Sequence, residues 1–196
     1  MPKRRASQKS GSGRVFGQHS LIPPGTTATF RVSKEFVHNE VGAFRFLEPG
    51  ELRDDHIILH LVATKPADPT RNWVPYYVFQ IVSAQTARRA GEIHLRVGNT
   101  EHMRLYGGHI AYGVRTEFRG NHFAARALRL LMPLARRHGL SELWITCNPE
   151  NVASRRTCEL AGAELIEIVD LPQHVDMYHE GERQKCRYRL DLLTGE

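Results

Sequence analysis

An arginine and a glycine stand side by side between Val114 and Ala124, where a strand-like pattern gives way to a helix-like one. The first turn of a helix carries unpaired backbone N–H groups and the positive end of the helix dipole, so it attracts anions. Arg119 adds a cation, and the small residues Gly120 and Ala124 let the backbone approach a phosphate closely. The segment therefore predicts a phosphate cradle, although an ordinary structural turn would show the same features.

A second segment, Asn151 to Ala163, has the form of a capped helix that follows the next strand. Asn151 is placed to accept from the N–H groups of the first turn, and Ser154 lies on that turn. Gly162 ends the helical pattern. Asn151 alone indicates only a helix cap, but the two segments in this order, each after a strand, form a combination that points to ligand binding.

The elements that position these segments change from strand patterns to helix patterns along the chain. Helices are predicted for residues 121–138 and 152–161, and Pro133 should bend the first of them or loosen one of its turns. The order is β-β-β-β-α-β-α-β-β, which indicates an α/β (α+β) fold with a mixed sheet. The predicted strands are 56–62, 76–82, 92–97, 109–114, 143–147, 164–169 and 186–192.

The composition of the chain limits the classes of protein to which it can belong. The chain has 196 residues, of which 41% are hydrophobic and 24% charged, as is usual for one soluble domain with a substantial core. It has no apolar run of the roughly 18–20 residues that a membrane span needs, and no apolar signal segment follows its N-terminus. Cys147, Cys158 and Cys186 show no CxxC spacing, which argues against a disulfide framework or a zinc site. We therefore expect a cytoplasmic protein without a metal.

The net charge of +6 is concentrated at the N-terminus. Residues 1–14 carry no acidic side chain and hold Lys3, Arg4, Arg5, Lys9 and Arg14, which leaves the rest of the chain nearly neutral. Such an arm can attach weakly to phosphates, but a solvated tail is the simpler interpretation. We predict a basic, disordered or loosely packed extension over residues 1–30 and one domain over residues 31–196.

Residues 92–192 resemble the core of the GNAT acetyltransferase superfamily in the order and spacing of its two CoA-binding motifs. The first motif runs Val-x-Pro-x-x-Arg-Gly-x-Gly-x-Gly/Ala, and this chain matches it at Val114, Arg119, Gly120 and Ala124. Thr116 replaces its proline and His122 its middle glycine. The second motif runs Asn-x-x-Ala/Ser to Gly-Phe, and it is matched at Asn151, Ser154 and Gly162, with Ala163 at the aromatic position.

The resemblance implies a mixed, mostly antiparallel sheet of about seven strands, flanked by helices and splayed between the fourth and fifth strands. The splay should admit the pantetheine arm of acetyl-CoA, the co-substrate, and the loop 119–124 should hold its pyrophosphate. Asn151 and Ser154 should touch the pantetheine or phosphate side. The implied cofactor-binding residues are Tyr112, Val114, Arg119, Gly120, Asn121, His122, Phe123, Ala124, Asn151 and Ser154.

The resemblance also implies an N-acetyltransferase that transfers acetyl to a primary amine of a small molecule or a peptide or protein by direct attack. Catalysis would consist of positioning, amine deprotonation and oxyanion stabilisation. A homodimer is expected by analogy with the fold. The alternative is a non-catalytic acyl-CoA-binding sensor. A nucleic-acid-associated protein that uses residues 1–14 is a weaker third interpretation, because the body lacks a basic face interleaved with aromatic residues.

Three residues are candidates for catalysis. Glu92 and His109 lie on strands expected near the acetyl group and are candidates for the general base. Cys158 stands where many members of the family have a tyrosine general acid, so it either protonates the leaving thiolate or serves as a small hydrophobe. Tyr112 is a candidate oxyanion donor or pocket wall. For each of these residues, ordinary packing is the alternative.

Two departures from the family pattern carry expectations of their own. His122 stands at a glycine position, and we expect a negative φ there, because a non-glycine residue is then tolerated. Residues 65–75 form a proline-rich loop between the first two strands, where the family usually has helices that shape the acceptor site. We therefore expect an acceptor pocket that is open or completed by the N-terminal extension.

Overall fold

The computed structural model describes residues 44–193, and apart from one short extra helix the strands and helices in them follow the predicted order. The expected extension over residues 1–30 lies outside the described residues. In the described part the strands are β1 (Ile57–Lys65), β2 (Tyr76–Ser83), β3 (Arg89–Arg96), β4 (Ile110–Val114), β5 (Glu142–Cys147), β6 (Glu164–Asp170) and β7 (Gln184–Asp191). The helices are α1 (Phe123–Arg137), α2 (Val152–Ala161) and the short α3 (Asp176–His179).

The strands form two antiparallel sheets, in the orders β1-β2-β3-β4 and β5-β7-β6. No ladder joins β4 to β5. The two strands meet at one point, where the N–H of His109 donates to the carbonyl oxygen of Trp144 (2.6 Å). The predicted splay between the fourth and fifth strands is thereby confirmed, together with the mixed α+β fold.

Helix α1 forms because apolar residues recur at spacings of three and four and face the first sheet. Its buried stripe includes Ala127, Leu128, Leu131 and Leu134, all at most 1% exposed. The helix runs through Pro133 without interruption, and Gly139 follows it at φ +79°. Its burial fixes the position of its own N-terminus, which lies directly after β4.

Both long helices pack on one side of the sheets, and the other side of β3 is polar. Ile93 and Leu95 of β3 belong to the same buried cluster as the stripe of α1. Glu92, His94 and Arg96 alternate with them and are partly exposed. Because side chains of a strand alternate between faces, the first sheet has a helix-covered face and an open face.

The π-helical turn Met103–Gly107 and helix α3 were not predicted from the sequence. The turn is fastened where the two sheets meet, because Arg96 donates to the carbonyl oxygen of Gly108 (3.1 Å) and Thr146 donates to that of Tyr106 (2.7 Å). Neither element has enough apolar residues in register to produce a helix pattern, and both are held by contacts with distant segments.

We predict that Gly91→Ala destabilises the domain by about 2 kcal/mol, because the added methyl overpacks the pair of strands β3 and β4. A Cβ at Gly91 would overlap the carbonyl oxygen of Gly113 and lie 3.1 Å from Cα of Val114. Urea unfolding measures the change. Gly107→Ala is the control, since its Cβ meets nothing closer than 3.6 Å; a loss as large in the control would contradict the steric explanation.

Candidate active site

The loop between β4 and α1 has the backbone geometry of an anion cradle. Gly120 and His122 both adopt left-handed conformations, with φ +84° and +57°. Within the described residues the N–H groups of residues 120–125 donate to no acceptor, and the first helical bond runs from Arg126 to the carbonyl oxygen of His122 (3.1 Å). Left-handed residues in such a loop gather successive N–H groups around one point, and the helix dipole adds positive potential there.

The φ of His122 corrects one expectation. A negative φ was predicted for it, and that prediction is wrong, because the value is +57°. The family has glycine at this position, and the geometry explains that preference, since only glycine adopts left-handed backbone without strain. Histidine is among the residues that tolerate it better than most. Its side chain makes no capping hydrogen bond to the helix.

Asn121 and Phe123 shape the loop. The side-chain amide of Asn121 donates to the carbonyl oxygen of Phe118 (3.1 Å), and Phe123 is buried against Phe118 with ring centroids 6.1 Å apart. Arg119 is exposed, with Nε 3.3 Å from the carbonyl oxygen of Val114. Backbone N–H groups and the guanidinium of Arg119 are therefore the groups that this loop offers to a ligand.

Backbone N–H groups of β4 point into the gap between β4 and β5. Along an antiparallel strand the bonding groups of successive residues alternate in direction. The carbonyl oxygen of His109 and the N–H of Arg115 both bond to β3 (2.8 Å each). The N–H groups of Tyr112 and Val114, which have the opposite parity, consequently face the gap and can pair with the amides of a pantetheine arm.

Tyr112 connects β4 with the N-terminus of α2 across the gap. Its hydroxyl group hydrogen-bonds to the hydroxyl of Ser154 (2.7 Å) and lies 3.3 Å from the carbonyl oxygen of the same residue. Asn151 accepts from the N–H of Ser154 (3.0 Å), as expected of a helix cap. Burial raises the pKa of Tyr112, which keeps the phenol neutral. The structure thus brings Tyr112, Asn151 and Ser154 together.

Cys158 is fully buried on the inner face of α2. Hydrogen bonding to Cys147 and burial raise the pKa of Cys158, and Tyr112 also lies within hydrogen-bonding reach of the thiol. The side chain is therefore a neutral thiol next to the Tyr112 hydroxyl. This position favours packing, the alternative stated for this residue, and it places a second protic group beside Tyr112.

His109 is buried, at 1% exposure, and both of its ring nitrogens are occupied. Nδ1 accepts from the backbone N–H of Trp144 (2.9 Å), and Nε2 lies 2.8 Å from the carbonyl oxygen of Gly98. These partners define the neutral tautomer protonated at Nε2, and burial lowers the pKa of His109. The ring leaves no nitrogen for a substrate amine, so the geometry supports a structural role for it.

Glu92 forms a hydrogen-bonded pair with His94 on the open face of β3. Its Oε1 lies 2.7 Å from Nε2 of His94, and its Oε2 accepts from Arg89 (3.0 Å). Hydrogen bonding to His94 lowers the pKa of Glu92, so the carboxylate is ionised. The ring of His94 stacks on Tyr76 with centroids 5.7 Å apart. The other ring nitrogen, Nδ1, bonds to none of the described residues and is available to a substrate.

The pair lies beside the smallest side chains of β4. Glu92 is opposite Gly113, and His94 is opposite Ala111, in the β3–β4 ladder. Opposite residues in a ladder share a face, so these small residues leave space above β4 directly next to the pair. Sequence reasoning selected Glu92 and missed His94; the signal was the spacing of two in an alternating strand, which puts both side chains on one face.

A cleft of about 390 Å³ opens near the same face. Its walls come from the loop between β1 and β2 and from the loop that leads to the π-helical turn: Pro69, Asn72, Trp73, Val74, Thr100 and His102. Trp73 connects it to the pair on β3, since its ring meets Tyr76 at 6.3 Å between centroids. The loop forms only a short 3-10 turn, Pro69–Arg71, as expected of a proline-rich stretch.

Comparison with known proteins agrees with this geometry. Residues 37–164 match the model of a family described as the acetyltransferase (GNAT) domain. The chain belongs to the GNAT acetyltransferase family. No curated protein sequence shows significant similarity to it. As a member of this family, the protein is an acyltransferase whose acetyl donor is acetyl-CoA.

Solved structures share the fold at low sequence identity. The ribosomal-protein-S5-alanine acetyltransferase from Vibrio fischeri superposes with a TM-score of 0.53 at 11% identity and covers 74% of this chain and 98% of its own. A Vibrio cholerae protein assigned as a ribosomal-protein-serine acetyltransferase gives 0.52 at 16% identity, with coverage of 74% and 99%. A Chromobacterium violaceum protein assigned to the GNAT family gives 0.53 at 13%, with coverage of 85% and 98%.

Residues 44–193 contain no group of three or more histidine, cysteine or acidic side chains that could hold a metal ion. No helix in that part of the chain is long and apolar enough to cross a membrane. Our candidate for the active site comprises the cradle after β4, the gap between β4 and β5, and the open face of β3.

We predict that the free energy of unfolding falls as the pH drops below about 6.5. Burial lowers the pKa of His102, His109 and His138, so below that pH the unfolded chain binds protons that the folded rings do not. Urea unfolding at pH 7.5 and pH 5 measures the loss. His109→Gln should reduce this pH dependence, whereas His60→Gln, at an exposed position of β1, should leave it intact. An equal reduction in both variants would contradict the assignment to His109.

Proposed function

We propose that this GNAT acetyltransferase transfers acetyl from acetyl-CoA to a primary amine by direct attack, with the His94–Glu92 pair accepting the proton of the amine. The observation that carries the proposal is the position of this pair above Ala111 and Gly113. The pair lies over one face of β4. The cradle lies at the end of β4, and the gap runs along its side. The amine and the thioester can therefore approach the same short strand from different directions.

The donor side is supported by the unpaired N–H groups. Those of residues 120–125 and the side chain of Arg119 suit a pyrophosphate, and those of Tyr112 and Val114 suit the amides of the pantetheine arm. A backbone N–H in the gap is also placed to stabilise the negative charge that develops on the thioester oxygen during attack. Acetyl-CoA supplies a thioester carbon that an uncharged amine attacks.

The general base needs a lone pair and a partner that stabilises the charge it acquires. With Nε2 protonated and bonded to ionised Glu92, His94 has an unshared lone pair on Nδ1, and its partly exposed side chain lies on the open face of the sheet. Glu92 then stabilises the imidazolium that forms, as the third member of a nucleophile–base–acid relay does. Glu92 is accordingly proposed as the residue that orients the base, and His94 as the base.

The leaving thiolate needs a proton donor, and Tyr112 is our candidate. Its neutral hydroxyl group lies between β4 and α2, next to the Cys158 thiol at the family's tyrosine position. We propose that the hydroxyl of Tyr112 takes over the task of that tyrosine from the opposite wall of the gap. In this arrangement Tyr112 donates the proton, and Cys158 packs beside it as a small hydrophobic side chain.

The acceptor is an amine of a small molecule or of a peptide or protein. The cleft beside Trp73 is open, and its side chains are uncharged at neutral pH, because burial lowers the pKa of His102. An open cleft of this kind matches an acceptor site that lacks covering helices. The predicted homodimer and cytoplasmic location stay predictions. The exposed apolar residues of edge strand β6, which are Leu165, Ile166 and Ile168, support the first, and three free cysteines fit the second.

We predict that Arg119→Glu weakens acetyl-CoA binding by about 100-fold, because it replaces a cation by an anion beside the pyrophosphate cradle. Calorimetric titration of both proteins with acetyl-CoA measures this. Arg53→Glu makes the same charge change at an exposed site before β1 and should leave the affinity unchanged. Equal affinity of the Arg119 variant and the unaltered protein would contradict the placement of the pyrophosphate.

We predict that His94→Gln and Glu92→Gln each lower kcat by about 100-fold or more and leave the affinity for acetyl-CoA unchanged. Acetylation of a panel of small amines and peptides, followed by release of the free CoA thiol, gives kcat. His60→Gln removes an imidazole from an exposed position of β1 and is the control for general effects.

The same panel separates the enzyme from a non-catalytic acyl-CoA-binding sensor. The buried Cys158 at the tyrosine position is the observation that favours the sensor. Acetyl-CoA binding without turnover of any amine would favour it, and turnover that survives both substitutions would overturn the assignment of the base.

A further inference from the structure

Three cysteines that lie far apart in the sequence converge between β5, β7 and α2. Cys147 and Cys186 are directly opposite in the β5–β7 ladder, and Cys158 lies on the face of α2 that covers them. All three are buried, and all are free thiols. Cys147 is at the centre, because Cys186 is its partner in the ladder and hydrogen bonding with Cys158 is the largest influence on its pKa.

The cluster forms part of the wall of the gap. Cys147 is the last residue of β5 and hydrogen-bonds to Ser154, the residue that the Tyr112 hydroxyl contacts from β4. At 5% exposure Cys147 is shielded from bulk solvent. On the β4 side no ladder covers β5. A reagent therefore reaches this thiol by the same gap that we assign to the pantetheine arm, and this inference rests on that proposed donor site.

The surroundings of Cys147 and Cys158 give the two thiols different roles: Cys147 is the nucleophile, and Cys158 stays protonated. Hydrogen bonding from Cys158, with help from Ser154 and the ammonium of Lys185, lowers the pKa of Cys147. Hydrogen bonding to Cys147 and burial raise the pKa of Cys158. Thiolates, not thiols, attack disulfides, so Cys147 is the thiol that reacts first and Cys158 is held next to it in the protonated form.

We propose that Cys147 is a covalent modification site for a low-molecular-weight disulfide of the CoA type that enters by the gap, and that Cys158 is the thiol that resolves the adduct. The ligand class follows from the cradle, which suits a pyrophosphate, and from the thiol cluster at the wall of the gap. The product, a Cys147–Cys158 disulfide, joins β5 to α2 at the wall of the proposed acetyl-CoA site.

The reaction balances without any other oxidant. The Cys147 thiolate attacks one sulfur of the disulfide, which breaks the S–S bond, releases one CoA thiolate and leaves a mixed disulfide on Cys147. Cys158 then loses its proton and attacks the sulfur of Cys147, which releases the second CoA thiolate and forms the Cys147–Cys158 bond. One disulfide is consumed, one is formed, and two thiols are released. A dithiol such as dithiothreitol reverses the sequence.

The experiment uses the reduced, full-length protein and CoA disulfide as the probe, with glutathione disulfide at the same concentration as the comparison. Free thiols are alkylated at intervals, and intact mass gives the number that remain. We expect two of the three thiols to disappear with CoA disulfide, at a rate about tenfold or more above that with glutathione disulfide. Saturating acetyl-CoA should slow the reaction, and dithiothreitol should restore all three thiols.

Single variants identify the residues. Cys147→Ser should abolish the reaction, with Cys147→Ala as the second variant if serine disturbs folding, which circular dichroism will show. Cys158→Ser should stop at the mixed disulfide and retain a CoA adduct. Cys186→Ser should behave like the unaltered protein. Reaction of both Cys147 variants at the normal rate, or a product that joins Cys147 to Cys186, would overturn the proposal.

Calorimetry with acetyl-CoA on the reduced protein separates this inference from the proposed donor site. If acetyl-CoA binds and Cys147 does not react with CoA disulfide, only the modification site is refuted. If acetyl-CoA does not bind, the donor site fails, and the entry of the disulfide by the gap fails with it. Equal rates for CoA disulfide and glutathione disulfide, with acetyl-CoA bound normally, would refute entry by the gap alone.

Discussion

The site depends on one junction, where β4 and β5 touch and then separate. The buried ring of His109 accepts the N–H of Trp144, a bond that a backbone carbonyl of a continuous sheet would otherwise accept. This bond ends the pairing of the two strands, so the N–H groups of Tyr112 and Val114 have no strand to bond. Buried backbone groups require partners, and we propose that the amide carbonyls of an acylated pantetheine arm supply them in this gap.

The N-termini of the two long helices add positive charge at the gap. α1 and α2 begin next to the ends of the two diverging strands, so their N-termini bring unpaired N–H groups and positive dipole ends to the gap. The left-handed residues Gly120 and His122 bend the first of these termini into a cradle. Because the proposed contacts to a pyrophosphate are mainly backbone N–H groups, a histidine can stand at position 122 as long as its φ is positive.

The two faces of the sheet carry different groups of the proposed site. The helix-covered face holds the neutral groups Tyr112 and Cys158, whose burial raises their pKa values and keeps their protons in place. The open face holds the ionised Glu92 and its partner His94, where solvent and an acceptor amine have access. This separation keeps the proposed base away from the leaving thiolate, and it puts the small residues of β4 between them.

The sequence by itself determined the order of the long elements and the family, and it located the two segments that we propose to bind the donor, because periodicity, helix caps and glycine positions are local properties of the chain. It also selected Glu92. Only the tertiary structure decided the roles: it buried His109, gave His122 its positive φ, added His94 to Glu92 and assembled Cys147, Cys158 and Cys186. These results depend on which residues of different elements meet across the junction of β4 and β5, and packing between distant segments sets those contacts, not the local pattern.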